Sequence, residues 1–313
     1  MNGNNPIGGG NGSGDGEIVI LHLSDTHISA PGTNPSRPSP DYDSGLTMSR
    51  VMKRLEDSGL HPNLLVVSGD LCDAETGERA RTAYRGIVAS LRRLTAILGC
   101  PMACCMGNHD DREAFRSVIL PACGSTGTAV PPIHGPRDDG SDAESAVDYS
   151  FTVPTSAGEL RIVILDTSSP GSDRGDLDDT QLNWLKHLLK TCAPAGTILV
   201  MHHPPVHPWQ FHARQWEMNP NCAATLGDML SGTDVRVILC GHVHLDSAAT
   251  FRGIPVSIAG AFSRNQDPLH PRELTYSWSD NPSMNIVMLS TIAHDRQAMI
   301  IPAMIAGFPV KDA

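Results

Sequence analysis

Aromatic residues are scarce, at 4% of the chain, and no apolar run approaches the roughly 18–20 residues that a membrane-spanning helix needs. Stable membrane insertion is therefore not expected. The eight cysteines, at 72, 100, 104, 105, 123, 192, 222 and 240, include no Cys-x-x-Cys pair. That spacing removes the usual thiolate zinc clusters and thioredoxin-like motifs from consideration. Cys104, Cys105 and Cys240 lie within apolar runs, where buried free thiols are common. The N-terminus lacks the basic region and apolar core of a signal peptide, so a reducing cytoplasm is the expected compartment. Positive charge is also short: 23 Lys and Arg stand against 34 Asp and Glu, a net charge of −11. That balance argues against a nucleic-acid polymer or an anionic membrane as partner.

What the chain has is glycine and proline, 29 and 24 in 313 residues, which implies many turns and a site built from loops. Residues 1–16 are of low complexity and read as a disordered tail. From 17 onward a rhythm repeats. Short apolar runs at 18–23, 64–67, 102–106, 161–165, 197–201 and 235–240 have strand length. Between them lie helical patterns, such as Met48, Val51, Met52 and Leu55 ahead of Gly59, and Ala80 to Leu98 ahead of Gly99. Strands that alternate with helices and read as continuous apolar runs predict an α/β fold with a doubly covered, largely parallel sheet. After 245 the helical patterns stop, and short strands to 301 predict a second, more antiparallel sheet. Residues 123–146 read as a polar loop insertion. The expected layout is a tail over 1–16, one domain over 17–270, and C-terminal strands or a cap over 271–313 that complete it.

The strand ends carry the chemistry. In order they present Asp25 and His27, Asp70, Asn108 and His109, His202, then His242 and His244. In open α/β sheets the ligand site lies outside the carboxyl ends of the strands, so these donors are predicted to share one edge. Carboxylate, imidazole and amide oxygen without thiolate suit Mn²⁺, Fe or Zn²⁺. Seven good donors among these eight residues exceed the needs of one ion and suit two ions sharing a carboxylate. Gly69, Gly107 and Gly241 precede the donors where the backbone must turn and approach a ligand closely. Bound metal ions would also invert the field of so acidic a site, leaving a phosphate substrate compatible with the charge.

The order Asp-x-His, Gly-Asp, Gly-Asn-His-Asp, His-His-Pro-Pro, Gly-His-x-His resembles the calcineurin-like metallophosphoesterase superfamily. The likeness covers residues 17 to 260. The segments LHLSDTHIS, VVSGDLCD, MGNHDDR, ILDTS, MHHPPV, DVRVILCGHVH and GIPVSIAGA look most like the bacterial class III cyclic-nucleotide phosphodiesterases of mycobacterial type. The resemblance implies a four-layer α/β/β/α sandwich and a homodimer. It also implies a dinuclear centre in which Asp25, His27 and His244 hold one metal and Asn108, His202 and His242 the other. Asp70 would bridge, and His109 would be a catalytic histidine facing the phosphate rather than a ligand.

The implied reaction is metal-dependent hydrolysis of a phosphodiester by a metal-bridging hydroxide. The expected substrate is a 3′,5′-cyclic nucleotide, cAMP or cGMP, converted to the 5′-monophosphate; other phosphodiesters or phosphomonoesters are the alternative. A purple acid phosphatase would place tyrosine where Asp73 stands, and a nuclease would need a basic stripe that is lacking. Asp73 and Asp110 are candidate acceptors behind the ligand imidazoles, and His203 a neighbour of the site. The loop holding His207, Trp209, Phe211, His212 and Trp216 could line a base pocket, form a dimer contact, or pack as an ordinary loop.

Overall fold

Residues 17–32, 44–124, 133–135, 145–210, 212–273, 276–277, 282–292 and 297–304 are described by a computed structural model of the chain. The expected N-terminal tail, most of the 123–146 insertion and the final residues of the C-terminal region lie outside the described residues. In chain order the strands are β1 (Glu17–Leu23), β2 (Leu64–Ser68), β3 (Met102–Cys105), β4 (Ile133–His134), β5 (Tyr149–Thr155) and β6 (Gly158–Leu165). They continue as β7 (Thr197–Met201), β8 (Val235–Cys240), β9 (Ser247–Phe251) and β10 (Ile254–Ile258). The last four are β11 (Asn265–Gln266), β12 (Tyr276–Ser277), β13 (Ser283–Ser290) and β14 (Ala298–Met304). The helices are α1 (Ser44–Ser58), α2 (Gly77–Leu98), the short α3 (Arg112–Ala114), α4 (Asp179–Leu188) and α5 (Pro220–Leu230).

Two mixed sheets form, in the orders β14-β13-β1-β2-β3 and β4-β5-β6-β7-β8-β10-β9. The alternation of side chains along the second sheet shows how they pack. Ile162, Ile164, Ile198, Val200, Val237 and Leu239 point into the core shared with the first sheet. Their neighbours Val163, Leu165, Leu199, Met201, Ile238 and Cys240 point the other way, against Leu185 of α4 and Leu226 and Leu230 of α5. On the far side, α1 and α2 cover the first sheet through Met48, Val51, Leu55, Tyr84, Ile87 and Leu91. The result is the α/β/β/α order. Truncating one of the buried leucines, such as Leu91, removes about 2–5 kcal/mol.

Local signals start and stop the helices. The α2 face repeats at three and four residues, and the helix ends at Gly99 with φ 70°, whose N–H returns to the Thr95 carbonyl at 2.8 Å. At α4, Asp178 accepts from the main chain of Thr180 and Gln181 while Gln181 reaches back, a complete capping box.

Most of the strands after 245 divide between the two layers, and only the short β11 and β12 pair as a small sheet of their own. β9 and β10 extend the second sheet, while β13 and β14 pair antiparallel beside β1 and extend the first. A buried polar bridge then joins the two sheets. His22 lies between Ser68 Oγ at 2.8 Å and Ser257 Oγ at 3.2 Å, and Asn285 donates to the same Ser257 hydroxyl. Burial holds the His22 imidazole neutral, with its pKa down to about 3 against the pull of Asp25.

Candidate active site

The carboxyl ends of β1, β2 and β3 in one sheet meet those of β7 and β8 in the other, and the sequence places its polar turns there. Five of the residues concerned take left-handed backbone: Asp25, His27, Asp70, His242 and His244, with φ from 42° to 71°. Positive φ is uncommon outside glycine, although Asp and His adopt it more readily than most, and five such residues at one edge mark a constrained set of turns. The glycines make room. A Cβ on Gly107 would fall 2.2 Å from Asp70 Oδ1, on Gly69 2.3 Å from the His202 ring, and on Gly241 1.7 Å from Ser24 Oγ.

Two groups of donors result, and they share Asp70. Asp25, His27, Asp70 and His244 form the first, and Asp70, His202 and His242 the second, each with its ligand atoms within 4.8 Å of one another. In the first, His244 Nε2 is 3.2 Å from Asp25 Oδ1, and His27 Nε2 is 3.6 Å from Asp70 Oδ2. In the second, His202 Nε2 is 3.3 Å from the same Asp70 oxygen. Asn108 sits at the end of β3, and its buried Oδ1 has no hydrogen-bond partner; the same holds for Asp25 Oδ1 and His202 Nε2.

The far side of each ring explains which nitrogen faces inward. His202 Nδ1 reaches the Ser68 carbonyl at 2.7 Å, His244 Nδ1 the Arg264 carbonyl at 2.8 Å, and His242 Nε2 the Trp216 carbonyl at 3.0 Å. A carbonyl only accepts, so each ring carries its proton there and turns a lone pair inward. His27 has Asp73 Oδ1 behind Nδ1 at 3.3 Å. The inward nitrogens of His27 and His244 then face each other at 3.2 Å. With the His27 proton on Nδ1, toward Asp73, two lone pairs meet at that distance, and a cation between them relieves the repulsion. The residues fit a metal centre.

The electrostatics agree. Burial works to raise Asp25 and Asp70, yet the surrounding imidazoles hold both carboxyls below the usual range. Burial brings His27 down to about 4 and His242 to about 3, so both rings are neutral donors. His202 goes the other way: burial opposes its charge, but Asp70 and Asp25 raise it to about 9. The acidic pocket thus draws a positive charge, and a metal ion satisfies the demand that a proton meets in its absence.

His109 lies at the rim with its side chain 29% exposed, Nδ1 3.8 Å from Asp73 Oδ1, while its backbone N–H donates to Asp70 Oδ1 at 2.9 Å. Asp73 therefore backs both His27 and His109. Among the described residues Asp110 backs no imidazole. It accepts from the main chain of Leu71, Cys72 and Gly107 and from the Tyr84 hydroxyl, tying the β2 and β3 turns together. His203 is buried, with Nδ1 2.8 Å from Thr167 Oγ1.

In the aromatic loop, Trp216 contributes its carbonyl to His242, His207 pairs with Glu217, and Trp209 is 62% exposed; Phe211 and the side chain of His212 lie outside the described residues.

Several supporting residues carry no distinctive motif. Arg112, directly after the Asn-His-Asp-Asp turn, forms a half-buried ion pair with Asp166 at 3.1 Å and reaches the Ser168 carbonyl. The 262–266 segment clamps both ligand turns: Phe262 and Ser263 donate to the carbonyls of Ser24 and Asp25, and Gln266 to that of His244. Asp173 approaches Asn108 from a loop. Arg112 and Asp166 lie in segments that resemble the family; no pattern in the sequence marks Asp173.

The model of the calcineurin-like phosphoesterase family matches residues 18–246. The chain is 39% identical over 251 residues to a cAMP/cGMP dual specificity phosphodiesterase of Mycobacterium tuberculosis, covering 80% of this chain and 69% of that protein. It is 25% identical to a 3′,5′-cyclic adenosine monophosphate phosphodiesterase of Pseudomonas aeruginosa, covering 74% and 71%. In fold it is similar to a dimetal phosphatase of Danio rerio, with a TM-score of 0.53, 15% identity, and coverage of 91% and 98%. Among the described residues no helix is long and apolar enough to cross a membrane. The chain belongs to the calcineurin-like phosphoesterase family and is a metal-dependent phosphoester hydrolase.

Proposed function

We propose that the chain hydrolyses 3′,5′-cyclic nucleotides, cAMP and cGMP, to 5′-monophosphates at a two-metal centre. The observation that carries this is the convergence of two donor groups on one shared carboxylate, Asp70, with the ring nitrogens of His27 and His244 brought to 3.2 Å of each other. Similarity to the mycobacterial dual specificity enzyme supports the choice of substrate. Asp25, His27 and His244 would hold one ion and Asn108, His202 and His242 the other. The oxygen and nitrogen donors suit Mn²⁺, Fe or Zn²⁺. Such a pair, when bound, supplies an activated water and neutralises charge on the phosphoryl oxygens.

The chain's own groups do the rest. Asp70 keeps Oδ1 on the His109 N–H, which leaves Oδ2 to face both pockets. The carbonyls of Ser68, Arg264 and Trp216 fix three rings before substrate arrives, so no reorganisation is needed during the reaction. His109, with Asp73 behind Nδ1, uses Nε2 to hydrogen-bond the phosphate and to give a proton to the leaving O3′. The eight free thiols support a cytoplasmic setting. The full reading is of one phosphoesterase domain, completed by the C-terminal strands and paired as a homodimer.

The test is a comparison of turnover on 3′,5′-cAMP, 2′,3′-cAMP, a glycerophosphodiester and a nucleoside monophosphate, with Mn²⁺ and after chelation. Preference for the 3′,5′-cyclic diester, abolished by chelator, is expected. Preference for the monophosphate by orders of magnitude would overturn the assignment.

A further inference from the structure

Asn108 is the weakest donor in the proposed centre, a neutral amide, and an amide has two faces. Turned one way it offers Oδ1 to a cation; turned the other it offers an N–H₂ group, which repels one. Its buried Oδ1 has no hydrogen-bond partner, so nothing on that side selects the orientation. On the other side there is one partner among the described residues: Nδ2 donates to Asp173 Oδ1 at 3.4 Å.

Asp173 is exposed, but the loop that carries it is fastened at several points. Ser172 N–H donates to the Ser169 carbonyl at 3.0 Å, and Ser172 Oγ accepts from Arg174 N–H at 3.0 Å. Asp176 N–H donates to the Thr167 carbonyl at 3.0 Å, and the Gly175 carbonyl accepts from Asn219 N–H at 2.7 Å. Gly175 itself lies against His203, so close that a Cβ there would come within 2.5 Å of that side chain. His203 is in turn held by Thr167. The second histidine of the His-His pair is thus a post under this loop.

We infer that Asp173 is a positioning residue, which accepts from Asn108 Nδ2 and so turns Oδ1 into the second metal pocket, with His203 supporting the loop from below. The inference rests on the two-metal reading above. Partners behind metal ligands typically change metal affinity by about 10–100-fold when removed, and an amide that can flip makes the dependence direct.

The experiment is Mn²⁺ titration of the full chain, stripped by chelator, followed by calorimetry and by metal content after desalting. Wild type is expected to take two Mn²⁺. Asp173→Ala should bind the first unchanged and the second about 10–100-fold more weakly. Asp173→Asn, which keeps an acceptor oxygen, should restore the second site. Equal affinities in Asp173→Ala and wild type would overturn the inference. So would an Asp173→Asn protein as weak as Asp173→Ala, because the carboxylate charge would then be what matters, not the hydrogen bond. Weakening of both sites together with a lowered Tm would also overturn it, as a general loss of structure. Wild type that binds fewer than two Mn²⁺ would sink the dinuclear reading as well.

Discussion

The two pockets that share Asp70 are built to different standards. The first, around Asp25, His27 and His244, is buried on every side, with relative exposures of 0%, 6% and 4%. It has Asp25 to itself besides its share of Asp70. The second, around His202 and His242, has only its share of that carboxylate, and in the proposed assignment the neutral amide of Asn108, oriented from a surface loop, stands where the first has a carboxylate. Two carboxylates against one shared carboxylate implies tighter binding in the first pocket. The difference suggests a centre in which one ion is a fixture and the other is exchangeable.

The largest expected effect comes from removing what the pockets have in common. Asp70→Asn should lower kcat/KM by at least about 10³-fold and empty both sites. A variant that keeps one ion at full occupancy would show that the pockets are more independent than the shared oxygen suggests. Next is His109→Ala, expected to cut kcat by about 10²–10³-fold while two ions per chain are retained. Lost metal would instead make His109 a ligand and break the division between rim and pockets.

Asn108→Ala should then weaken only the second site, by about 100-fold, with activity returning at excess Mn²⁺; Asp25→Asn should lose the first ion and not be rescued. Equal rescue of the two variants would erase the contrast.

The smallest effect concerns the support behind the Asn108 turn. Arg112 is anchored on Asp166, and Asp148 takes hydrogen bonds from the Asp166 N–H and from Gln181 Nε2. Burial, with the charge of Asp166 nearby, raises the Asp148 carboxyl from 3.8 to about 7. The folded state therefore holds a proton that the unfolded chain releases, and stability falls as pH rises from about 4 to about 7. Asp148→Asn keeps the acceptor and removes the titration. Its Tm should exceed wild type by a few degrees at pH 8 and match it at pH 4–5, as read by thermal melts. An equal gain at both pH values would mean that the charge is not the cause.

How much of this was legible beforehand follows from what each feature depends on. The strands could be read because burial on both faces leaves continuous apolar runs such as Leu64–Val67. The donors could be read because turns off parallel strands gather at one edge. The membership of β13 and β14 in the first sheet could not, since a strand's partner depends on contacts far away in sequence. The Ser68, Trp216 and Arg264 carbonyls that orient the rings were equally hidden, because every residue has a carbonyl and only the fold aims it. Asp173 was hidden for a third reason, as one polar residue among many in a Ser/Gly/Asp loop.

The left-handed backbone at Asp25, His27, Asp70, His242 and His244 bears on how such a site can be dissected. Alanine in that conformation carries a strain of about 1–2 kcal/mol that aspartate and asparagine partly escape through their own side chains. An alanine scan would thus report backbone distortion and donor loss as one number. Asparagine at the aspartates, and paired glycine and alanine variants at the histidines, separate the two. The same reasoning limits natural drift. Valine, isoleucine and threonine are shut out of these five positions by the main chain alone, whatever chemistry the side chain could offer.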